Sequence, residues 1–179
     1  MYRYLLLSRR SLLGLIAFMS VCLFSSAANA AESVVLKYRF LRETISVSEL
    51  STFAQTGELS SSLQAYLKLA GKDPEELRSI LTQEIAVNPI LLSRVLNSVV
   101  GEAMLDRASQ VVHTPSDRAN RESLRSALVT SALGDEKITL IETLENYPTP
   151  EVHVEGDRLV EIVQYMTRVI GSLPRVRVF

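Results

Sequence analysis

The chain has 179 residues, of which 19 are basic and 20 are acidic, so its formal net charge is −1. Domains that bind the phosphates of nucleic acids are usually strongly basic, so this balance argues against a nucleic-acid partner. The single cysteine, Cys22, has no second thiol for an internal disulfide and cannot form a cysteine metal cluster.

Residues 1–30 have the three parts of a secretory signal peptide. A basic start is followed by an apolar stretch, residues 12–24, that is short for a membrane span of about 20 residues. Ala28-Asn29-Ala30 supplies a small-x-small pattern, which predicts cleavage between Ala30 and Ala31. An uncleaved anchor is the alternative. Arg9-Arg10 also resembles a twin-arginine signal, so the export route stays open.

Removal of this signal would leave 149 residues, enough for one domain with one hydrophobic core. The signal holds three of the 19 basic residues and no acidic residue, so 16 basic and 20 acidic residues remain, with a net charge near −4. Cys22 leaves with the signal. The remainder therefore offers no disulfide, no thiolate nucleophile and no cysteine metal ligand.

The chain after the signal begins with an alternating pattern that predicts a half-buried strand over residues 34–40. One face carries Val34, Leu36, Tyr38 and Phe40, and the other carries Val35, Lys37 and Arg39. Residues 41–43 are expected to turn into a second short strand over residues 44–47, which makes a hairpin.

Helices are predicted over residues 49–56 and 60–70. Ser48 is expected to cap the first, and Gly57 and Gly71 are expected to stop them.

Residues 73–105 are the expected centre of the fold. Asp73-Pro74 and Asn88-Pro89 both combine an N-cap side chain with a proline suited to the first helical position. The second start opens a wide apolar stripe, which is typical of a buried central helix. Its residues are Ile90, Leu91, Leu92, Val95, Leu96, Val99 and Val100.

The rest of the chain adds one long helix, a brief strand and a final helix. A helix over residues 117–133, capped by Ser116, is followed by a short helix over residues 138–144. A strand is expected over residues 151–155, a helix over 157–170 and a tail over 172–179. The predicted fold is mainly α, a single-domain bundle of about seven helices over residues 31–171 with an antiparallel hairpin or three-stranded sheet.

A set of short motifs, taken in order and spacing, resembles a cyanobacterial domain of unknown function, number 1400. The motifs are Ile45-Ser46-Val47, Phe53-Ala54, Gly57, Asn88-Pro89, Leu92-Ser93-Arg94, Gly101-Glu102, Leu105-Asp106, Thr114-Pro115-Ser116, Leu124-Arg125, Ala127-Leu128 and Tyr147-Pro148. The likeness covers roughly residues 31–170.

This family's helical domain lies at the N-terminus of secreted proteins described as α/β-hydrolases. The resemblance implies export to a cyanobacterial periplasm, thylakoid lumen or extracellular space, but it brings no catalytic residues. This chain is expected to stop where longer members begin their hydrolase module.

An α/β-hydrolase nucleophile sits on a strained strand-to-helix turn, which has the sequence sign Gly-x-Ser-x-Gly. The chain contains no such pentapeptide. Autonomous serine hydrolysis is therefore disfavoured, and no catalytic, cofactor-binding or metal residue is assigned.

Glu151, His153 and Glu155 alternate with valines, so a strand would place all three on one face. They could form a weak metal site or an acid–base group, or they could be the solvated face of an edge strand. His113, beside Val111 and Val112, is expected to be a partly buried, hydrogen-bonded residue.

Three arginines of the 117–133 segment share a predicted helix face, namely Arg118, Arg121 and Arg125. This face could receive a carboxylate-bearing partner or anionic lipids. A solvated face, paired at i, i+4 with Asp117 and Glu122, is the alternative. The terminal Arg175-Val176-Arg177-Val178-Phe179 could dock on a sheet edge or form a disordered tail.

These patterns favour an exported, non-catalytic helical module that binds or regulates a protein partner, such as a hydrolase module in trans. The alternatives are a small hydrolase, as the family description suggests, and a protein associated with a membrane surface through its amphipathic helices or a retained signal.

Overall fold

The computed structural model describes residues 30–173, so the expected signal before Ala30 and the terminal Arg-Val-Arg-Val-Phe segment lie outside the described residues. The strands of the described part are β1 (Ser33–Tyr38), β2 (Leu41–Ser46), β3 (Ile85–Ala86), β4 (Val112–His113), β5 (Lys137–Ile138) and β6 (Glu151–Glu155). Its α-helices are α1 (Val47–Thr56), α2 (Ser61–Ala70), α3 (Pro74–Thr82), α4 (Pro89–Leu96), α5 (Val99–Ser109), α6 (Asn120–Asp135), α7 (Leu140–Glu145) and α8 (Leu159–Gly171), the last preceded by a 3-10 turn, Gly156–Arg158.

The mainly α fold class is confirmed, and the sheet is larger than the sequence indicates. Four strands pair in the order β2-β1-β6-β4, and β3 pairs with β5 in a separate ribbon. The β1–β2 hairpin is antiparallel, β6 runs parallel to β1, and β4 runs antiparallel to β6. One face of the sheet supplies Val34, Leu36 and Val154 to the hydrophobic core that the helices complete.

The predicted hairpin exists, but its turn lies earlier than expected. β1 ends at Tyr38, and Phe40 in the turn is 91% exposed. Arg39 adopts φ 54° there, and its N–H donates to Asp157 Oδ2 at 2.9 Å. Val35, predicted on the outer face, is also buried, because β1 is an internal strand flanked by β2 and β6.

Two of the predicted caps, Asp73 and Asn88, accept backbone N–H groups at the starts of α3 and α4. Ser60, predicted as the first residue of its helix, caps α2 instead, and the predicted stops Gly57 and Gly71 end α1 and α2 at positive φ.

The cap of α1 is Ser46 rather than Ser48, because Ser46 forms a capping box with Glu49. The backbone N–H of Ser46, with its hydroxyl, lowers the pKa of the Glu49 carboxyl.

The prediction of one buried central helix is wrong. α4 ends at Leu96, and Ser98 starts α5 by accepting the N–H of Gly101 at 3.2 Å. Because a new helix starts here, Val99 and Val100 are 86% and 68% exposed, whereas Leu96 is fully buried.

Gly101 permits the tight turn between these two helices. A Cβ there would lie 2.0 Å from the Val95 carbonyl oxygen.

The α6 helix begins later than predicted, and Ser116 does not cap it. Its N-cap is Ala119, which has φ 52° and makes no side-chain cap hydrogen bond. Thr114 instead ties the preceding loop, since its N–H and hydroxyl donate to Asn120 Oδ1, both at 2.9 Å. α6 packs against α4, α5 and α7. No helix among residues 30–173 has the length and apolar character needed to cross a bilayer.

Candidate functional site

The two histidines of the chain meet across the β4–β6 pair. His113 is in register with His153, and their rings lie edge to face with centroids 5.3 Å apart. The sequence separates them by 40 positions, so only the antiparallel pairing of β4 with β6 brings them together.

His153 does not lie on the solvated face of an edge strand. It is 8% exposed, because β6 is flanked by β1 and β4 and Val35 lies beside it in register. Its Nε2 lies 2.8 Å from Glu151 Oε1. The partner of His153 is therefore Glu151, one of the two glutamates of the predicted strand face.

His113 is half-buried and hydrogen-bonded, as its sequence context predicts. Its Nδ1 lies 3.0 Å from the Thr114 carbonyl oxygen and 3.8 Å from Asp117 Oδ1. Its Nε2 lies 3.4 Å from Glu155 Oε1. Both ring nitrogens therefore lie beside oxygens of neighbouring groups.

Glu155 links this histidine to β1. Its Oε1 accepts the Lys37 ammonium at 2.8 Å. Burial opposes ionisation of the Glu155 carboxyl, but the hydrogen bonds and positive charge of Lys37 and His113 outweigh it and lower its pKa.

The structure thus divides the predicted Glu-His-Glu face into two pairs, Glu151 with His153 and Glu155 with His113. Within residues 30–173, no group of three or more histidine or acidic side chains is placed to hold a metal ion.

A polar pocket of about 440 Å³ opens beside His113. The C-terminal end of α5, the loop after β4 and the first turn of α6 surround it. Its lining residues are Asp106, Ser109, Gln110, His113, Asp117, Asn120 and Arg121.

Ser109 is the residue of this pocket that sequence reasoning missed. It ends α5, is 8% exposed, and its buried hydroxyl has no hydrogen-bond partner. A buried hydroxyl without a partner is uncommon, because it loses its bonds to water without replacement. No local motif marks this serine, so the sequence gives no signal for it.

The loop beside the pocket holds an unusual backbone. Asp117 and Ala119 adopt φ 56° and 52°. Residues other than glycine, asparagine and aspartate rarely adopt such positive φ angles. The Thr114 hydroxyl accepts the Arg118 N–H at 3.2 Å and helps to hold this conformation. Such strain persists only where surrounding contacts impose it, and it clusters at functional sites.

The predicted arginine face is only partly formed. Arg118 lies in the loop rather than on α6. Arg121 does not pair with Asp117 but donates to both carboxylate oxygens of Asp106, at 2.9 and 2.8 Å. Its guanidinium also lies 3.3 Å from the Glu102 carboxylate. Arg125 donates to the Leu96 carbonyl oxygen. The arginines on α6 therefore pair with α4 and α5.

A second concave feature is an apolar groove along α8. It consists of two cavities that share Ile80 on α3; the first is also lined by α2, and the second by α5, α6 and α7. Leu159 and Val160 line one cavity, and Ile162 and Met166 line the other. The groove carries few polar atoms, so it can shelter apolar groups but has little chemistry of its own.

The comparisons with known proteins give one match. The family model described as "Alpha/beta hydrolase of unknown function (DUF1400)" matches residues 30–155, which is more than half of the chain. No curated protein and no solved structure matches.

Proposed function

The chain belongs to the family described as alpha/beta hydrolases of unknown function, and on that premise we propose that it is an exported, non-catalytic binding or regulatory module. Its partner in this proposal is a protein, a hydrolase module acting in trans. The residues before Ala31 serve as the cleaved export signal.

One observation carries the non-catalytic proposal: among residues 30–173, no serine hydroxyl is hydrogen-bonded to a histidine. Serine hydrolysis needs an imidazole that takes the proton of the serine. Glu151 engages His153, and Glu155 with the Thr114 carbonyl engages His113. Neither imidazole is therefore bonded to a serine among the described residues.

A small hydrolase is the second candidate, because Ser109, His113 and Asp117 line one pocket. They are the residue types of a Ser-His-Asp triad. The Ser109 hydroxyl has no partner, and His113 Nε2 is directed to Glu155 instead. Catalysis would require His113 to leave Glu155 and turn toward Ser109.

Ester hydrolysis by the purified protein separates these candidates. We expect the rate with p-nitrophenyl acetate to equal that of buffer, and His113→Gln and His153→Gln to leave it unchanged. A saturable rate that His113→Gln abolishes while His153→Gln spares it would reverse the proposal, because only His113 shares the pocket with Ser109.

Two further experiments test whether the protein is exported and whether it binds a hydrolase. The intact mass of the exported protein should lack residues 1–30, whereas retention of these residues would support an anchor. A hydrolase that carries Gly-x-Ser-x-Gly and is encoded beside this chain should co-sediment with it. Independent sedimentation of the two proteins at micromolar concentration would contradict the partner proposal.

A further inference from the structure

An open pocket of about 640 Å³, here called the N-terminal pocket, lies beside the first residues that the structure describes. One side of α1 and the last residue of α7, Glu145, form its other walls. Both residues of the predicted cleavage site, Ala30 and Ala31, line this pocket. The peptide bond that joins them therefore runs along the pocket wall.

The chain on the C-terminal side of this bond is fixed by contacts of its own. Ala31 is 7% exposed and belongs to the hydrophobic core. The Glu32 N–H donates to the Pro150 carbonyl oxygen at 2.9 Å, and the Glu32 carbonyl oxygen accepts the Val47 N–H at 2.9 Å. None of these contacts needs a residue before Ala31, so a chain cut after Ala30 would keep its new end at the N-terminal pocket.

The charges of the N-terminal pocket suit a cation. Its ionisable residues are Glu32 and Glu145, and no basic residue lines it. Glu145 is partly buried, and its Oε1 accepts the Ser51 hydroxyl at 2.6 Å. Within residues 30–173, Glu145 takes part in no salt bridge. A carboxylate held by one neutral donor can accept a charged donor as well, and such a hydrogen bond is the stronger kind.

We propose that cleavage after Ala30 creates an internal ion pair between the new α-ammonium group of Ala31 and the Glu145 carboxylate. Hydrolysis of the bond leaves a carboxylate on Ala30, which departs with the signal, and an ammonium on Ala31, which stays. The uncleaved chain has an uncharged amide at this position, so only the processed protein can form the pair. This inference rests on the proposed export cleavage and goes beyond the proposed function.

NMR titration of the Ala31 methyl group tests the pair, on exported protein whose intact mass shows the loss of residues 1–30. A free α-amino group has a pKa of about 7.7–8.0. In the processed protein this pKa should be about one unit higher, because the nearby carboxylate favours the charged form. Glu145→Gln keeps an acceptor for Ser51 but removes the charge, and it should return the pKa to the usual range. The matched control is Glu32→Gln, which removes the exposed carboxylate and should keep most of the rise.

The same pair predicts how stability depends on pH. A group whose pKa is raised in the folded state stabilises that state below its unfolded pKa, and the gain is lost as the pH rises through the folded pKa. Urea midpoints of wild type should therefore exceed those of Glu145→Gln at pH 7, and the difference should shrink as the pH rises to about 10.

Three results would overturn the inference, and they differ in what else they affect. An α-amino pKa in the usual range, or one equally raised in Glu145→Gln, would reject the pair while the cleavage proposal stands. A raised pKa that Glu32→Gln abolishes and Glu145→Gln retains would reject the role of Glu145. Retention of residues 1–30 in the exported protein would reject the cleavage proposal and the pair together, and the intact mass alone identifies this case.

Discussion

Gly101→Ala should destabilise the chain, because the added Cβ would meet backbone atoms of the preceding helix. The ideal Cβ position lies 2.0 Å from the Val95 carbonyl oxygen and 2.6 Å from Leu96 Cα. These atoms belong to α4 and cannot swing aside as a flexible side chain does. The helices α4 and α5 would have to separate.

The magnitude follows from two opposing effects. Overpacking costs about 1–3 kcal/mol, and contact with rigid backbone places Gly101→Ala at the upper end. Alanine recovers about 1 kcal/mol through its helix propensity. We therefore expect a net loss of about 2 kcal/mol, which for a chain of this size lowers the melting temperature by roughly 4–8 °C.

Gly134→Ala is the matched control. It lies in α6, and a Cβ there would meet nothing within 4 Å. Only the higher helix propensity of alanine should then matter, so the free energy of unfolding should rise by about 0.5–1 kcal/mol. Urea melts followed by circular dichroism measure both variants. If Gly101→Ala is as stable as wild type, the close approach of α4 and α5 is refuted.

Four further substitutions test the core and the histidine cluster. Tyr147→Phe should leave stability unchanged or raise it by up to about 1–3 kcal/mol, because the hydroxyl is fully buried without a partner. A loss above about 1 kcal/mol in a urea melt would show instead that this hydroxyl is bonded. Leu96→Ala should lower the free energy of unfolding by about 2–5 kcal/mol, because Leu96 is fully buried. Arg121→Ala should change the unfolding midpoint little. Equally small effects of the two substitutions would contradict the core assignment. Since the folded state lowers the pKa of Glu155, the stability it contributes is present above pH 4.5 and is lost as the pH falls below that value. Wild type should therefore lose more stability than Glu155→Gln across this range, and parallel pH profiles from melts would argue against the Lys37 and His113 contacts.

Helix starts could be predicted from the sequence because their chemistry is local. Asp73-Pro74 and Asn88-Pro89 each place a capping side chain directly before a proline, and both start a helix in the structure. The bonds that fix these ends span two or three residues, so the pattern contains all of their parts.

The break after Leu96 shows where periodicity fails. Val99 and Val100 extend the apolar spacing of α4, yet both are exposed. Asn97 donates to the Ser93 carbonyl and Ser98 caps α5, so local polar bonds end one helix and begin another. The spacing of apolar residues alone therefore does not predict the break between α4 and α5.

The candidate site depended on contacts between distant segments. His113 and His153 lie 40 positions apart in the sequence, and β4 has only two residues and leaves no strand pattern that would pair them. The burial of His153 also depends on the parallel pairing of β6 with β1. The unpartnered hydroxyl of Ser109 becomes visible only when all its neighbours are in place.

The central claim, that the chain does not hydrolyse through a serine nucleophile, is tested most directly by labelling with a serine-directed fluorophosphonate. After incubation, the intact mass should be unchanged, because no described serine is hydrogen-bonded to an imidazole base. A single adduct that peptide mass spectrometry places on Ser109, and that Ser109→Ala and His113→Gln each abolish, would contradict the claim and establish the Ser109 pocket as an active site.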